Sequence, residues 1–190
     1  MTAEVPPDVK AALVEHLRRY SVRTGRFTLK SGRTSSWFID AKQTLCRPDG
    51  ILLVADALLA ILPDEVTALG GLTMGADPVA FGVAAIAATR GRPLRSFSVR
   101  KEVKDHGGGG RIAGALEPGD RVAITEDAVT RGASPLEAVA AVREAGGVPV
   151  IVTPVVDRGG TCGARCREVG IAYHALVTAP DLGFDYEGGD

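Results

Sequence analysis

The chain has 190 residues, 45% of them hydrophobic, which suits one domain with a sizeable core. Its 22 Lys and Arg against 23 Asp and Glu leave a net charge of −1, so composition provides no bulk attraction to nucleic acid or to a membrane surface. Three cysteines make no disulfide framework, no basic-then-apolar leader opens the chain and no apolar run spans a bilayer; a soluble protein of the reducing cytoplasm is expected.

After Pro6-Pro7, apolar Val9, Ala12, Leu13, Leu17 and Tyr20 recur at helical spacing, with Asp8 placed to cap the helix. Phe27-Thr28-Leu29 and Trp37-Phe38-Ile39 read as short strands on either side of a Lys30-Ser31-Gly32-Arg33 corner. A second helix is expected from Pro48-Asp49 to Leu62, where Pro63 ends it. From there strand, loop and helix alternate: strand Val66 to Leu69, glycine loop Gly70 to Gly75, helix from Asp77 or Pro78 through Ala88. Next come strand Leu94 to Val99, a glycine-rich segment Lys104 to Gly114, strand Arg121 to Thr125 and loop Glu126 to Ser134. Helix Pro135 to Ala145, strand Val148 to Val156 and a last strand near Ile171 to Val177 complete the pattern. Near-continuous Val/Ile/Ala strands separated by helices predict an α/β fold with a central, mostly parallel sheet flanked by helices. We read residues 1–190 as one domain, with a helix and hood segment over 1–45 and the α/β core over 46–180. Ligands of such sheets bind at the loops that follow the strands.

Two of those loops carry chemistry. Val122-Ala123-Ile124 runs into Glu126 and Asp127, then Thr130, Gly132 and Ser134, with Pro135 in the first turn of a helix. Backbone N–H groups from Thr130 to Ser134, a permissive glycine and a helix N-terminus make an anion cradle. Carboxylates repel phosphate, so the two acids need another partner. Ribose hydroxyls provide it, and ribose 5-phosphate fits both halves. The second loop places Arg100, Lys101, Lys104, His106 and Arg111 around the glycines 107–110, a basic segment that cannot pack as core and suits a transient polyanion.

The Val122 to Ser134 segment resembles the phosphoribosyl-diphosphate signature of type I phosphoribosyltransferases: hydrophobic residues, two acids, two hydrophobics, then Thr-x-Gly-x-Ser. Arg100-Lys101-x-x-Lys104-x-His106-Gly107, the Phe27 to Asp40 segment and Asp157-Arg158 resemble motifs of the orotate phosphoribosyltransferase family, and the likeness runs from Phe27 to about Leu182. That resemblance implies the type I phosphoribosyltransferase fold with a small N-terminal hood. It also implies conversion of orotate and 5-phospho-α-D-ribose 1-diphosphate to orotidine 5′-monophosphate and pyrophosphate, a step of de novo pyrimidine (UMP) synthesis. Mg²⁺ would be bound mainly through the diphosphate. The resemblance further implies a homodimer with shared active sites, the loop carrying Lys104 and His106 reaching into the neighbouring subunit.

By the same resemblance Lys104, His106 and Asp127 are catalytic, and Lys30, Arg100, Lys101, Lys104 and His106 meet the diphosphate. Glu126, Asp127, Ala128, Val129, Thr130, Arg131, Gly132, Ala133 and Ser134 hold the ribose phosphate, while Trp37, Phe38, Thr130 and Arg158 face orotate. Core packing is the alternative for the Trp37 and Phe38 side chains, and a surface Asp157–Arg158 pair is the alternative for that strand end. Arg131, Ala133 and Met74 depart from the family pattern, Met74 standing where many members have lysine in the Gly70 to Pro78 loop. A purine-base phosphoribosyltransferase and a non-catalytic diphosphate-sensing regulator of the same fold are the competing functions. The chain's own residues imply no metal site: Cys162 and Cys166 lack a second ligand pair and read as ordinary thiols on a turn or short helix.

Overall fold

Strand and helix alternate through most of the chain in the computed structural model, which describes residues 4–28, 34–103 and 110–187. Helix α1 (Pro7–Tyr20) starts on a proline whose fixed φ suits a first turn. Asp8 does not cap it. Pro6 holds the cap position without a side-chain bond, and Asp8 lies inside the first turn, where its charge meets the positive end of the helix. Strands β1 (Val22–Thr28) and β2 (Thr34–Ile39) pair antiparallel as a separate two-stranded sheet, with Ser35, Trp37 and Ile39 alternating inward. An unanticipated short helix α2 (Lys42–Leu45) precedes α3 (Pro48–Ile61).

The main sheet has the order β5-β4-β3-β6-β7-β8, and β9 also pairs with β7. Its strands are β3 (Ala68–Leu72), β4 (Arg95–Val99), β5 (Ile112–Gly114), β6 (Arg121–Val129), β7 (Val148–Asp157), β8 (Ala172–Tyr173) and β9 (Val177–Thr178). The β4–β5 pairing is antiparallel and the others are parallel. Helices α4 (Asp77–Thr89), α5 (Ala133–Glu144) and α6 (Cys162–Glu168) make the crossovers. Side chains alternate between two apolar layers. Leu69, Ala123 and Ile151 join Leu13, Leu58 and Val83 on the α1/α3/α4 side, whereas Ala68, Val122, Ile124 and Val152 join Ala138, Val142 and Cys166 on the α5/α6 side. Both faces are covered, so the strands carry few polar side chains.

Four of the departures from expectation have a tertiary reason. Gly70 and Gly71 belong to β3, not to a loop, because β3 lies between β4 and β6; a Cβ on Gly70 would stand 2.6 Å from the Phe97 ring. Strand β6 continues through Glu126 to Val129 because β7 pairs with it that far, Ala128 opposite Val156. The glycine-rich segment ends in β5, an edge strand that returns the chain from β4. The single last strand is two short ones, both paired to β7. Since β3, β4, β6 and β7 run parallel, Thr73, Arg100, Thr130 and Arg158 follow their C-terminal ends at one edge of the sheet.

Candidate active site

At the end of β6 the turn Thr130-Arg131-Gly132 leads straight into α5. Gly132 has φ 74°, in the left-handed region, and a Cβ there would lie 2.5 Å from the Cys162 sulfur of α6. Glycine is required twice over, by backbone conformation and by the close approach. The turn borders a cavity of about 700 Å³ lined by the whole run Ala128 to Pro135. The run and the start of α5 thus form one wall, at the place where the sequence predicts an anion cradle. Phe27, Thr28, Phe38, Arg158 and Glu187 form the other wall.

The two acids sit beside this cavity on β6 rather than in a loop. Asp127 forms an ion pair with Lys42 of α2, and its Oδ1 accepts the Ala128 N–H at 2.8 Å. Glu126 is 6% exposed. Burial, and then the neighbouring Asp127 charge, push its carboxyl up to about 8, so at neutral pH it is mostly protonated. Burial works against the Lys42 ammonium, but the hydrogen bond and charge of Asp127 outweigh it and raise the Lys42 pKa. The acid pair therefore presents about one negative charge, balanced by one lysine. This limits the repulsion that two free carboxylates would exert on a phosphorylated ligand.

The loop after β3 passes directly over the acids. A Cβ on Gly75 would stand 1.8 Å from Glu126 Oε1 and 2.8 Å from Asp127 Oδ1. Asp77, in the first turn of α4, accepts hydrogen bonds from Thr73 (2.7 Å) and from Ser98 of β4, which ties this loop to the sheet. Met74 is 68% exposed at its tip. Arg100 and Arg111 pinch the base of the basic segment: the Arg100 N–H donates to the Arg111 carbonyl at 2.7 Å, and Arg111 Nε donates to the Arg100 carbonyl at 2.9 Å. Lys101 is exposed next to that neck. Lys30, Lys104 and His106 lie outside the described residues.

Arg158 is 8% exposed and Asp157 4%, so the strand end is not a surface ion pair. Asp157 instead accepts from the Gly159 and Gly160 N–H groups at 3.0 and 2.8 Å and from the Tyr173 hydroxyl at 2.7 Å, shaping the turn. Arg158 Nη2 donates to the Trp37 carbonyl at 3.2 Å and forms an ion pair with Glu187, while its Nε is buried with no partner among the described residues. Trp37 does not line the cavity. It is 2% exposed, stacked on Phe184 at 4.5 Å, with the Arg158 guanidinium 4.9 Å from the ring centroid. Phe38, on the alternate face of β2, supplies the wall.

The structure thus brings together Phe38, Ala128 to Ser134 and Arg158 around one cavity, with Glu126 and Asp127 beside it. Sequence reasoning missed two polar side chains here. Lys42 follows no motif, and only the fold carries it to Asp127; Glu187, near the C-terminus, reaches Arg158 across the base of the hood. Cys162 and Cys166 lie buried on the short helix α6, their sulfurs 3.9 Å apart.

No family model matches the chain. Individual relatives do. It is 40% identical over 180 residues to an orotate phosphoribosyltransferase of Streptomyces coelicolor, covering 94% of this chain and 99% of the relative. An orotate phosphoribosyltransferase of Aquifex aeolicus is 40% identical over 157 residues, 82% of this chain and 86% of the relative. Among solved structures, Mycobacterium tuberculosis H37Rv orotate phosphoribosyltransferase in complex with Fe(III) dicitrate superposes with a TM-score of 0.79 at 38% identity, covering 93% of this chain and 99% of that one. The same enzyme in complex with 5-phospho-α-D-ribosyl 1-diphosphate gives 0.76 at 35% identity, with the same coverage. An adenine phosphoribosyltransferase of Rhodothermus marinus shares the fold alone, with a TM-score of 0.61 at 21% identity over 88% of this chain and 99% of that one. With these relatives matched over nearly its whole length, the chain belongs to the orotate phosphoribosyltransferase family.

Proposed function

We propose that this protein transfers the phosphoribosyl group of 5-phospho-α-D-ribose 1-diphosphate to orotate, forming orotidine 5′-monophosphate and pyrophosphate. The observation that carries the assignment is one cavity lined by the run Ala128 to Ser134, which we read as a main-chain anion cradle, on one wall and by Arg158 on the other. The cradle suits a 5′-phosphate. Asp127, aimed by Lys42, accepts from a ribose hydroxyl, and Glu126 serves the other. Phe38 covers the face of the base, and the unpartnered Arg158 Nε suits a planar carboxylate, which a guanidinium binds side-on.

Orotate already carries a nucleophilic ring nitrogen. Its N1 forms the bond to C1 of the ribose as the C1–oxygen bond breaks; the departing pyrophosphate takes that electron pair, and the proton that N1 loses passes to the pyrophosphate or to solvent. No proton needs to move to the chain, and no covalent enzyme intermediate is required. The chain contributes by holding both reactants in line and by stabilising the charge that builds on the leaving group. Arg100, Lys101 and the Thr73 to Gly75 loop sit at the matching edge; Lys30, Lys104 and His106 are assigned to the diphosphate on the family resemblance.

Magnesium fits as part of the donor rather than as a resident ion. Among the described residues the acids at the cavity are all engaged: Glu126 is mostly protonated, Asp127 is held by Lys42 and Glu187 is paired with Arg158. Bound with the donor, the ion would offset the donor's negative charge. We also infer a homodimer. The half-exposed apolar residues Leu52 and Phe81, on helices α3 and α4 that pack through Ile51 and Gly82, support it. No helix of the described residues is long and apolar enough to cross a membrane.

The test mixes purified protein, magnesium, the diphosphate donor and orotate, and follows the loss of orotate absorbance. Turnover that requires all of these components is the expected result. Binding of both substrates without turnover would overturn the enzymatic reading in favour of a sensor.

A further inference from the structure

The guanidinium that suits a substrate carboxylate already holds one. Glu187 lines the same cavity as Arg158, pairs with its Nη2 and accepts the Ser35 hydroxyl on the other oxygen. The pair is well shielded, with side-chain exposures of 10% and 16%. The tail that carries Glu187 is fastened at three points. Phe184 stacks on Trp37, the Tyr186 ring lies where a Cβ on Gly160 would be 2.8 Å away, and the Glu187 N–H donates to the Arg158 carbonyl at 3.0 Å. Each contact is made to the loop after β7 or to the hood, the two elements that frame the base wall.

We propose that Glu187 is a built-in competitor for the carboxylate of the incoming base, so that orotate binds by exchanging its carboxylate for the chain's own. This rests on the reading that Arg158 receives orotate. A carboxylate that binds side-on takes two neighbouring guanidinium nitrogens. Nε is free, but Nη2 is committed to Glu187, so bidentate binding through that edge requires Glu187 to leave. Two carboxylates crowded on one shielded guanidinium repel each other, which makes the exchange competitive. A base without a carboxylate leaves the Glu187–Arg158 pair in place and gains nothing from its removal. Glu187 thus sets the affinity for orotate while leaving the sugar-phosphate wall untouched.

The experiment measures KM for orotate and for the diphosphate donor, and the inhibition constant of uracil, in the full chain carrying Glu187→Gln, Glu187→Ala or Arg158→Met. Thermal melts check that each variant is folded. If the tail holds the site closed nine parts in ten, removing its charge lowers the orotate KM roughly ten-fold. Donor KM and uracil inhibition should stay unchanged. An orotate KM that stays the same or rises in both Glu187 variants overturns the competitor role. So does an equal tightening of uracil, which would make the tail a steric plug rather than a carboxylate mimic. Arg158→Met should raise the orotate KM. If it does not, the assignment of Arg158 to orotate falls; if it does while both Glu187 variants behave as the parent protein, only the exchange falls.

Discussion

The two walls of the cavity are built on opposite plans. The wall proposed for the sugar phosphate is a single stretch, Ala128 to Pro135, at the junction of β6 and α5, where the proposed recognition groups are those of the main chain. The wall proposed for the base is assembled from β1 and β2 and, more than a hundred residues further along the chain, from Arg158 and Glu187, and it offers side chains. A main-chain cradle tolerates side-chain change wherever the backbone can keep its path. A side-chain wall does not, because each group is both the ligand contact and the support of its neighbour. Arg131 and Ala133, unusual for the family, stand on the tolerant wall.

Gly132→Ala tests this contrast most severely, because it changes the backbone rather than a side chain. A left-handed φ and a Cβ 2.5 Å from the Cys162 sulfur should together cost about 1–3 kcal/mol. Thermal melts and initial rates should show a lower Tm and a donor KM raised at least roughly ten-fold, about 1.4 kcal/mol of binding. A normal donor KM would mean that the cradle is not where the phosphate sits.

Lys42→Met probes the exception, a side chain that matters on the sugar side. Losing a hydrogen bond to a charged group should raise the donor KM about ten-fold, with Lys42→Arg restoring most of it. An unchanged donor KM would remove Lys42 from the site.

Glu126 acts on stability rather than on donor binding, and its effect is visible in pH dependence. Its folded pKa, about 8, lies above the ordinary value of 4.5, so the folded state binds more protons than the unfolded state between those values. Stability should therefore fall as pH rises through that window, by up to about 1.4 kcal/mol per unit, and level off above it. Glu126→Gln should flatten this part of the curve in urea titrations from pH 5 to pH 9; a slope retained in the variant would assign it to another group. Smallest of all, Arg131→Ala should change the donor KM less than roughly two-fold, since its exposed side chain is not part of the cradle. A large loss there would break the division between main-chain and side-chain walls.

How much was legible in the sequence follows the same division. The cradle is local, so hydrophobic run, acids, glycine and helix start appear in order between Val122 and Pro135, and the chemistry can be read from their adjacency. The parallel sheet was legible too, because strands covered on both faces must be apolar throughout. Strand ends were not. Whether Gly70, Gly71 and Glu126 to Val129 lie in loops or strands depends on neighbours that pair with them, and pairing partners are distant in the chain.

The amino-acid sequence by itself determined the fold class and marked the cradle and the acid pair as candidates, while Arg158 became the candidate for an anionic base through the family resemblance. Tertiary structure decided that Trp37 packs inward while Phe38 faces the cavity, that Lys42 meets Asp127 and that Glu187 sits on Arg158. The reason is physical. Periodicity and turn chemistry act over a few residues and leave a mark in composition, whereas an ion pair between residues 85 positions apart, such as Lys42 and Asp127, exists only once the sheet has brought its ends together.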